Sequence, residues 1–301
     1  MTTAPAAASA LERFTAAVDA FDRRLRAIDD RALEAFWAWE AYDEEGVRFG
    51  ILRTAEEIGD AAIELAAHRS AAGAGGSRTR AQRILGRYLV AWRELWSVAD
   101  RADDVVDVEP QEGEWPLRTI LDHLIEAELG FLATIRNGLE QRRAGVAEPK
   151  RIASDEAWLA LAEVEEDPWH AALAGPLVEI RVFHRTVRDR IIERLGGTPD
   201  DELDWTSPFW DGQHTNRFRL GRFESHLRQH TIQVEKAVQA TKGAPREVER
   251  LLRLVARATG DVEAAAIGAD PEVVGGVVAP LTEPLVARAD ELAAAVATIH
   301  D

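Results

Sequence analysis

Apolar residues recur at three- and four-residue steps along most of the chain, which is the spacing of one face of an α-helix. Glycine and proline punctuate the pattern: Gly196-Gly197 with Pro199 beyond them, and Gly243, mark the ends of two predicted helices. No segment shows a convincing strand-type alternation. The sequence therefore predicts an all-α protein with helices at about 9–28, 30–43, 47–70, 78–104, 115–143, 154–165, 167–195, 215–241, 245–266 and 282–299.

Four predicted helices are long and amphipathic enough to form a four-helix bundle, an architecture that commonly holds metal or cofactor sites between facing helices. We therefore expect a bundle over residues 78–241, accessory helices over 1–75, and further accessory helices over 245–301 that pack on the bundle. The small, flexible stretch at 71–80 is the best candidate for a linker. The aromatic segment at 36–49 carries more apolar area than a free helix exposes, so we expect it to pack within the chain, on the bundle or on a second copy.

Composition and charge narrow the functional classes. The chain has no cysteine, which excludes disulfides, thiolate metal ligands and a cysteine nucleophile. Its formal net charge of −17, with arginines interleaved among acids, argues against nucleic-acid and anionic-membrane partners. No apolar run approaches the roughly 20 residues of a membrane span, and the first residues lack a secretory pattern. We expect a cytoplasmic protein that acts on a small molecule.

The candidate chemistry centres on the stretch ESHLRQHTIQ at 224–233. His226 and His230 stand four residues apart in a predicted helix, so both imidazoles leave the same face. Two such rings can bind one divalent transition metal at about 2.1 Å each, although they also fit histidines that only hydrogen-bond at the edge of a core. A metal would need a third ligand. The natural candidate is His123, which sits among apolar residues in the helix at 115–143 and also fits a core histidine.

Other residues and missing motifs limit which further ligands and which enzyme classes the sequence allows. His184 lies on the apolar stripe of its helix, and the sequence leaves it open as a fourth ligand, a group that supports a ligand, or a packing residue, with packing favoured. Leu227 occupies the position where an H-E-x-x-H metalloprotease carries its glutamate, which argues against a general base there. The sequence also lacks a P-loop, a nucleophile elbow and a Rossmann glycine pattern.

Two motifs together resemble those of the DinB/YfiT-like superfamily. The first is a tryptophan-led helix and the second is H-x-x-x-H-x-x-Q, and their residues are Trp115, Arg118, His123 and Leu124, then His226, His230 and Gln233. Members are antiparallel four-helix bundles that hold a divalent metal, often zinc or nickel, on three histidines. The resemblance implies the ligands His123, His226 and His230, with open positions for water or substrate. Gln229 and Thr231-Ile232 depart from the common pattern around the last ligand.

The resemblance also implies an activity. Characterised relatives include thiol-dependent transferases and isomerases, so we expect a metal-dependent enzyme that activates a low-molecular-weight thiol cosubstrate. A hydrolase that uses hydroxide on the metal, and a non-catalytic bundle that binds a metal or small ligand or forms a homodimer, are the alternatives. Gln233 and Glu126 are candidates to orient a ligand or water, and Glu126 fits a solvated residue better.

Overall fold

The computed structural model describes residues 8–73, 76, 78–210 and 212–298. Within this part of the chain the all-α prediction is confirmed, and a single short hairpin is the exception. No helix among these residues has the length and apolarity needed to cross a bilayer. The elements are α1 Ala10–Leu25, α2 Gly46–Ala71, α3 Arg80–Ala99, α4 Leu117–Arg143, α5 Asp155–Ala162, α6 Glu166–Ala174, α7 Leu177–Leu195, β1 Thr206–Phe209, β2 Gly212–Thr215, α8 Asn216–Lys242, α9 Glu247–Ala266 and α10 Pro271–Ala297.

The chain divides into two compact units, one from residues 78–244 and the other from the segments on either side of it. One unit contains α3 to α8 and the hairpin. The other is built from both ends of the chain: α1 packs on α10, and α2 packs on α9 and α10, around a shared apolar core. The segments that the sequence separates into two accessory regions thus pack with each other. Their packing on the bundle stays a prediction. In the candidate linker, residues 74, 75 and 77 lie outside the described part.

Helices α3 and α8 lie side by side and run in the same direction. Tyr88 of α3 contacts Phe223 in the first half of α8, with ring centroids 5.4 Å apart. Further along both helices, Arg101 donates a hydrogen bond to the carbonyl of Gly243 at 3.1 Å. Advancing along α3 therefore advances along α8, so the first and last helices of the bundle are parallel.

Helix α4 runs against α8. Phe131 contacts Phe223 at 5.5 Å between ring centroids, whereas the earlier residue His123 contacts the later residue His230 at 4.8 Å. Because these pairs run in opposite order along the two helices, the start of α4 faces the second half of α8. This crossing brings the histidine of one motif to the two histidines of the other.

Helix α7 runs against α3, and it completes the bundle. Trp96 donates a hydrogen bond to His184, and further along α3 Asp100 forms an ion pair with the earlier residue Arg181 at 2.6 Å. The four helices therefore follow an up-down-down-up order, and the predicted bundle is confirmed with α4 and α7 parallel to each other. Parallel neighbours need a long crossover connection, which here contains α5 and α6.

A buried hydrogen-bond network lies in the bundle core. Trp96 Nε1 donates to His184 Nδ1 at 3.1 Å, and His184 Nε2 lies 3.0 Å from a Glu128 oxygen that also accepts from the Tyr88 hydroxyl at 2.6 Å. An indole N–H can only donate, so His184 Nδ1 is the acceptor. His184 Nε2 therefore carries the proton and donates a hydrogen bond to Glu128. Burial, with the neighbouring Glu128 carboxylate, raises the pKa of Tyr88 well above its usual value. His184 is therefore a hydrogen-bonded core residue.

The helix predicted at 30–43 is wrong. A 3-10 turn at Asp30–Glu34 ends where Ala35 adopts extended backbone, and the chain then folds back through a Trp39–Tyr42 bridge. The carbonyl of Ala35 accepts a hydrogen bond from Val47, and a Cβ on Gly46 would collide with that carbonyl. The apolar spacing at 30–43 favours a helix, but the close contact between the backbones of Ala35 and Gly46 determines the conformation instead. The Trp39 and Tyr42 rings both contact the ring of Phe49 within the same unit.

Two other helices differ most from their predicted extents. The helix expected at 167–195 is divided by Gly175 and Pro176 into α6 and α7, since proline restricts the residue before it to extended backbone. The helix expected to begin at 282 begins at Pro271, a favourable first position, and continues through Pro280 and Pro284. Interior prolines cost helix stability, and here burial of the α10 apolar face offsets that cost.

The hairpin of β1 and β2 was not predicted, because four-residue strands are too short to show an alternating pattern. It is held by Arg219, which is fully buried and donates to both the hydroxyl and the carbonyl of Ser207. Burial lowers the pKa of Arg219 to about 10. Gly138 of α4 allows the close approach, since a Cβ there would lie 2.2 Å from Ser207 Oγ. The hairpin thereby places Phe209 and Trp210 against α4.

Candidate metal centre

The structure brings together the three histidines that the sequence singles out. His123 comes from α4, and His226 and His230 come from α8. Their ring centroids lie 5.2 Å (His123–His226), 4.8 Å (His123–His230) and 4.5 Å (His226–His230) apart. One potential ligand atom from each ring lies within 4.8 Å of the other two. The cluster is thus a group of three imidazoles of the kind that can hold a metal ion.

The register of α8 fixes two of these rings. Thr215 caps the helix by accepting a hydrogen bond from the Phe218 amide, and the buried residues Phe223 and Leu227 hold the apolar face against the bundle. His226 and His230 stand at the edge of that face, with only 9 % and 8 % of their surface exposed. The helix therefore presents both rings to α4 instead of to bulk water.

The ring nitrogens of the α8 histidines are set up as acceptors. His230 Nδ1 lies 2.8 Å from Gln233 Oε1. An amide oxygen can only accept, so Nδ1 carries the proton and Nε2 keeps its lone pair. His226 Nδ1 is buried and has no hydrogen-bond partner among the described residues. A metal ion would use lone pairs left free in this way, and the Gln233 contact is the type of support that orients histidine ligands.

The surroundings also keep both rings neutral. Burial lowers the pKa of His226 to about 3, and the adjacent His230, His123 and Arg222 act in the same direction. Burial lowers the pKa of His230 as well, with His123 and Arg222 adding to the effect and the Gln233 hydrogen bond opposing it. Neutral imidazole is the form that binds metals. The two α8 histidines are therefore in the form that binds metals near neutral pH.

The depressed pKa of His226 predicts an acid-sensitive metal-free protein. Between about pH 6.5 and pH 3 the unfolded chain binds a proton at His226 that the folded chain does not, so stability is lost as the pH falls through this window. The slope from one such proton reaches at most about 1.4 kcal/mol per pH unit. Urea unfolding in the presence of a chelator should show that the free energy of unfolding falls with pH. The His226→Gln variant should show a smaller fall. An identical pH profile in the variant would contradict the assignment.

Aromatic side chains enclose the cluster. The Trp115 ring packs edge-on against His123 at 5.5 Å, and the Phe131 ring packs edge-on against His226 at 5.6 Å. Trp210 from the hairpin stacks on Phe131 at 5.5 Å, yet 57 % of its surface stays exposed. The Trp115 and Phe131 rings shield the histidines on two sides, and the exposed part of Trp210 is accessible to a ligand.

A cavity of about 450 Å³ opens beside His230. Its other lining residues come from the loop before α4 and from the second half of α8, namely Pro110, Gly113, Glu114, Trp115, Gln233, Lys236 and Ala237. The cavity gives a small molecule a route to the ring of His230.

Some residues near the cluster carry no obvious signal in the sequence. Arg222 lies one helical turn before His226, and Trp210 reaches the site only through the hairpin fold. The four-residue spacing from Arg222 to His226 is the one clue the sequence offers. Glu126, considered as a group that orients a ligand, is exposed, whereas Gln233 touches a cluster histidine.

The remaining described histidines lie away from the cluster. His184 belongs to the core network, and the other rings make local contacts: His68 with Glu64, His170 with Trp169, and His214 with Phe218. His300 lies outside the described residues.

Fold and site together define this segment as a four-helix bundle with a three-histidine cluster between antiparallel helices. Residues 87–234 match the family model of the DinB superfamily. This part of the chain belongs to that superfamily, and the prediction made from the two motifs is confirmed. The matched segment contains His123, His226 and His230. No curated protein and no solved structure gave a match to the sequence.

Proposed function

We propose that His123, His226 and His230 bind one divalent transition metal ion, zinc or nickel, and that the protein is an enzyme that uses this ion to activate a low-molecular-weight thiol. The observation that carries the metal site is the convergence of three imidazoles with ligand atoms within 4.8 Å of one another. The thiol cosubstrate rests on the resemblance to thiol-dependent relatives, and a chain without cysteine has to take its sulfur from such a cosubstrate.

The residues present fit a transition metal. Imidazole nitrogen suits zinc, copper, iron and nickel, whereas calcium and magnesium prefer oxygen ligands. The unpartnered buried nitrogen of His226 and the Gln233-oriented ring of His230 supply lone pairs in that donor set. Three protein ligands with a further position left open are typical of catalytic zinc sites, whereas structural sites carry four.

Each residue of the cluster has a task in this proposal. When bound, a metal of this class lowers the pKa of a thiol or water and polarises an electrophile. Three neutral histidines leave the charge of the ion undiminished, and Gln233 fixes the tautomer of His230. Trp115 and Phe131 limit water around the rings. The cavity beside His230 admits the small molecule.

The experiment tests metal and thiol separately. Elemental analysis of the purified chain, followed by thermal shift with added zinc or nickel, should show about one equivalent of bound metal and stabilisation that a chelator reverses. The metal-loaded protein is then incubated with an electrophile, with and without a low-molecular-weight thiol, and thiol consumption is followed. Thiol-dependent turnover supports the proposal, thiol-independent ester cleavage indicates the hydrolase, and metal binding without turnover indicates a non-catalytic bundle.

A further inference from the structure

Arg222 lies beside the histidine cluster on the same face of α8. It precedes His226 by four residues, and His226 precedes His230 by four, so the three side chains follow one another along the helix. The Arg222 guanidinium carbon lies 6.0 Å from the centroid of the Phe131 ring, which itself packs against His226. The positive charge of Arg222 therefore stands at the edge of the site.

This guanidinium has spare donors. Its hydrogen bond is a 3.3 Å contact to Ser225 Oγ, and no carboxylate among the described residues pairs with it. Arg228, six residues later on the same helix, shows the usual arrangement in this acidic chain, with ion pairs to Glu94 and Glu224. Arg222 departs from that arrangement where α8 carries the candidate ligands. Its unused N–H groups are free to bind an external anion.

The charge of a metal-loaded site also favours the binding of an anion. The clustered ligand groups are three histidines and include no carboxylate. A divalent ion on neutral imidazoles, with Arg222 alongside, places about three positive charges in a partly buried region. Such a concentration of charge is unfavourable unless an anion enters with the ion. A guanidinium matches a carboxylate with two parallel hydrogen bonds.

We propose that Arg222 binds a carboxylate of the molecule that reaches the metal centre, so that the enzyme acts on carboxylate-bearing small molecules. This inference rests on the proposed metal centre and names the class of its ligand. Trp210 stacks on Phe131, the ring beside Arg222, and its exposed surface offers a platform for a planar or apolar part of the same ligand. The carboxylate belongs either to the thiol or to its acceptor.

Lys236 is the rival cation. It lines the cavity beside His230 but is exposed, and it lies on the far side of the cluster from Arg222. Arg222 is half-buried against Phe131, and its charge reaches both α8 histidines. A partly desolvated guanidinium discriminates carboxylates from neutral groups more strongly than an exposed, flexible ammonium does. The observations therefore favour Arg222.

The test uses the full chain loaded with Co²⁺, whose visible absorption bands report ligand binding without any turnover. In one arm, 4-mercaptobenzoate is compared with 4-mercaptobenzamide, which differ in charge at the group far from the sulfur. In the other, benzoate is compared with benzamide in the presence of 2-mercaptoethanol. We expect the wild-type chain to prefer the carboxylate in at least one arm. The arm that shows the preference identifies whether the thiol or its acceptor carries the charge.

Variants test whether Arg222 is the residue that causes the preference for the carboxylate. Arg222→Gln should weaken binding of the carboxylate roughly ten- to a hundredfold while leaving the neutral analogue unchanged, and Arg222→Lys should restore part of the loss. Arg228→Gln removes the same charge from α8 and should change neither ligand. Stoichiometric Co²⁺ uptake by each variant shows that the site is intact.

Three outcomes overturn the inference in distinguishable ways. If the wild-type chain takes up no Co²⁺, the proposed metal centre fails and this inference fails with it. If Co²⁺ binds but carboxylate and amide bind equally in both arms, only the role of Arg222 is lost. If Lys236→Gln abolishes the preference and Arg222→Gln does not, the carboxylate site lies in the cavity instead.

Discussion

Replacing both His226 and His230 by alanine is expected to abolish stoichiometric zinc or nickel binding while the bundle stays folded. The double variant leaves His123 as the sole imidazole of the cluster, and one imidazole cannot hold a metal against water at micromolar concentration. The helices keep their fold because buried apolar side chains such as Phe223 and Leu227 hold α8 in place. Elemental analysis and far-ultraviolet circular dichroism of the same samples measure the two effects.

Histidines outside the cluster provide the matched control. His214→Ala removes an imidazole that stacks on Phe218 beyond the site, so metal stoichiometry should match that of the wild type. His123→Ala should weaken binding by orders of magnitude on its own, because it removes the ligand that we propose for α4. Binding of one equivalent with unchanged affinity by the double variant would show that the metal site lies elsewhere or does not exist.

The second large effect concerns stability. Glu128→Ala should lower the free energy of unfolding by about 2–5 kcal/mol, because it leaves two buried donors, the Tyr88 hydroxyl and His184 Nε2, without their acceptor and opens a cavity. The change in the urea midpoint, with the denaturant slope unchanged, measures it. Glu128→Gln retains a carbonyl acceptor and should cost less.

Glu126 is the control for this experiment, since it lies on α4 two residues away with an exposed side chain. Glu126→Ala should change the unfolding free energy by no more than about 0.5 kcal/mol. Similar small losses for both alanine variants would mean that the buried network contributes no net stability.

The sequence predicted the long bundle helices because periodicity and end signals agree there. In α8 the apolar spacing and the stop at Gly243 indicate the same element, and the structure adds a cap at Thr215. Predictions failed where contacts between distant segments decide the conformation. Pro280 and Pro284 are typical helix breakers, yet α10 continues through them against α1. The hairpin is held in place by a hydrogen bond from Arg219 of α8 to Ser207. Neither contact is encoded in a short window of residues.

The histidine cluster shows the same difference between features that local sequence determines and features that depend on packing. His226 and His230 share one helix, so their spacing fixes their proximity, and the family motif supplies His123. The proposed role of Arg222 depends on its having no carboxylate partner among the described residues, which only the packed structure shows. Trp210 reaches Phe131 through the hairpin. The proximity of the three histidines was therefore predictable, whereas the groups that surround them were not.

The pairing of α1 with α10 has a consequence for the order in which the protein is made. The 3.6-residue stripe of α1, with Phe14 and Phe21 fully buried in the finished protein, leaves the ribosome long before α10 exists. At about 5–20 residues per second the ribosome needs on the order of tens of seconds to reach α10. During that time the complete bundle segment emerges and can fold, while α1 and α2 remain without their partners. Helices α1 and α2 are thus synthesised before the bundle but buried after it, and they are where a nascent-chain chaperone would find apolar surface.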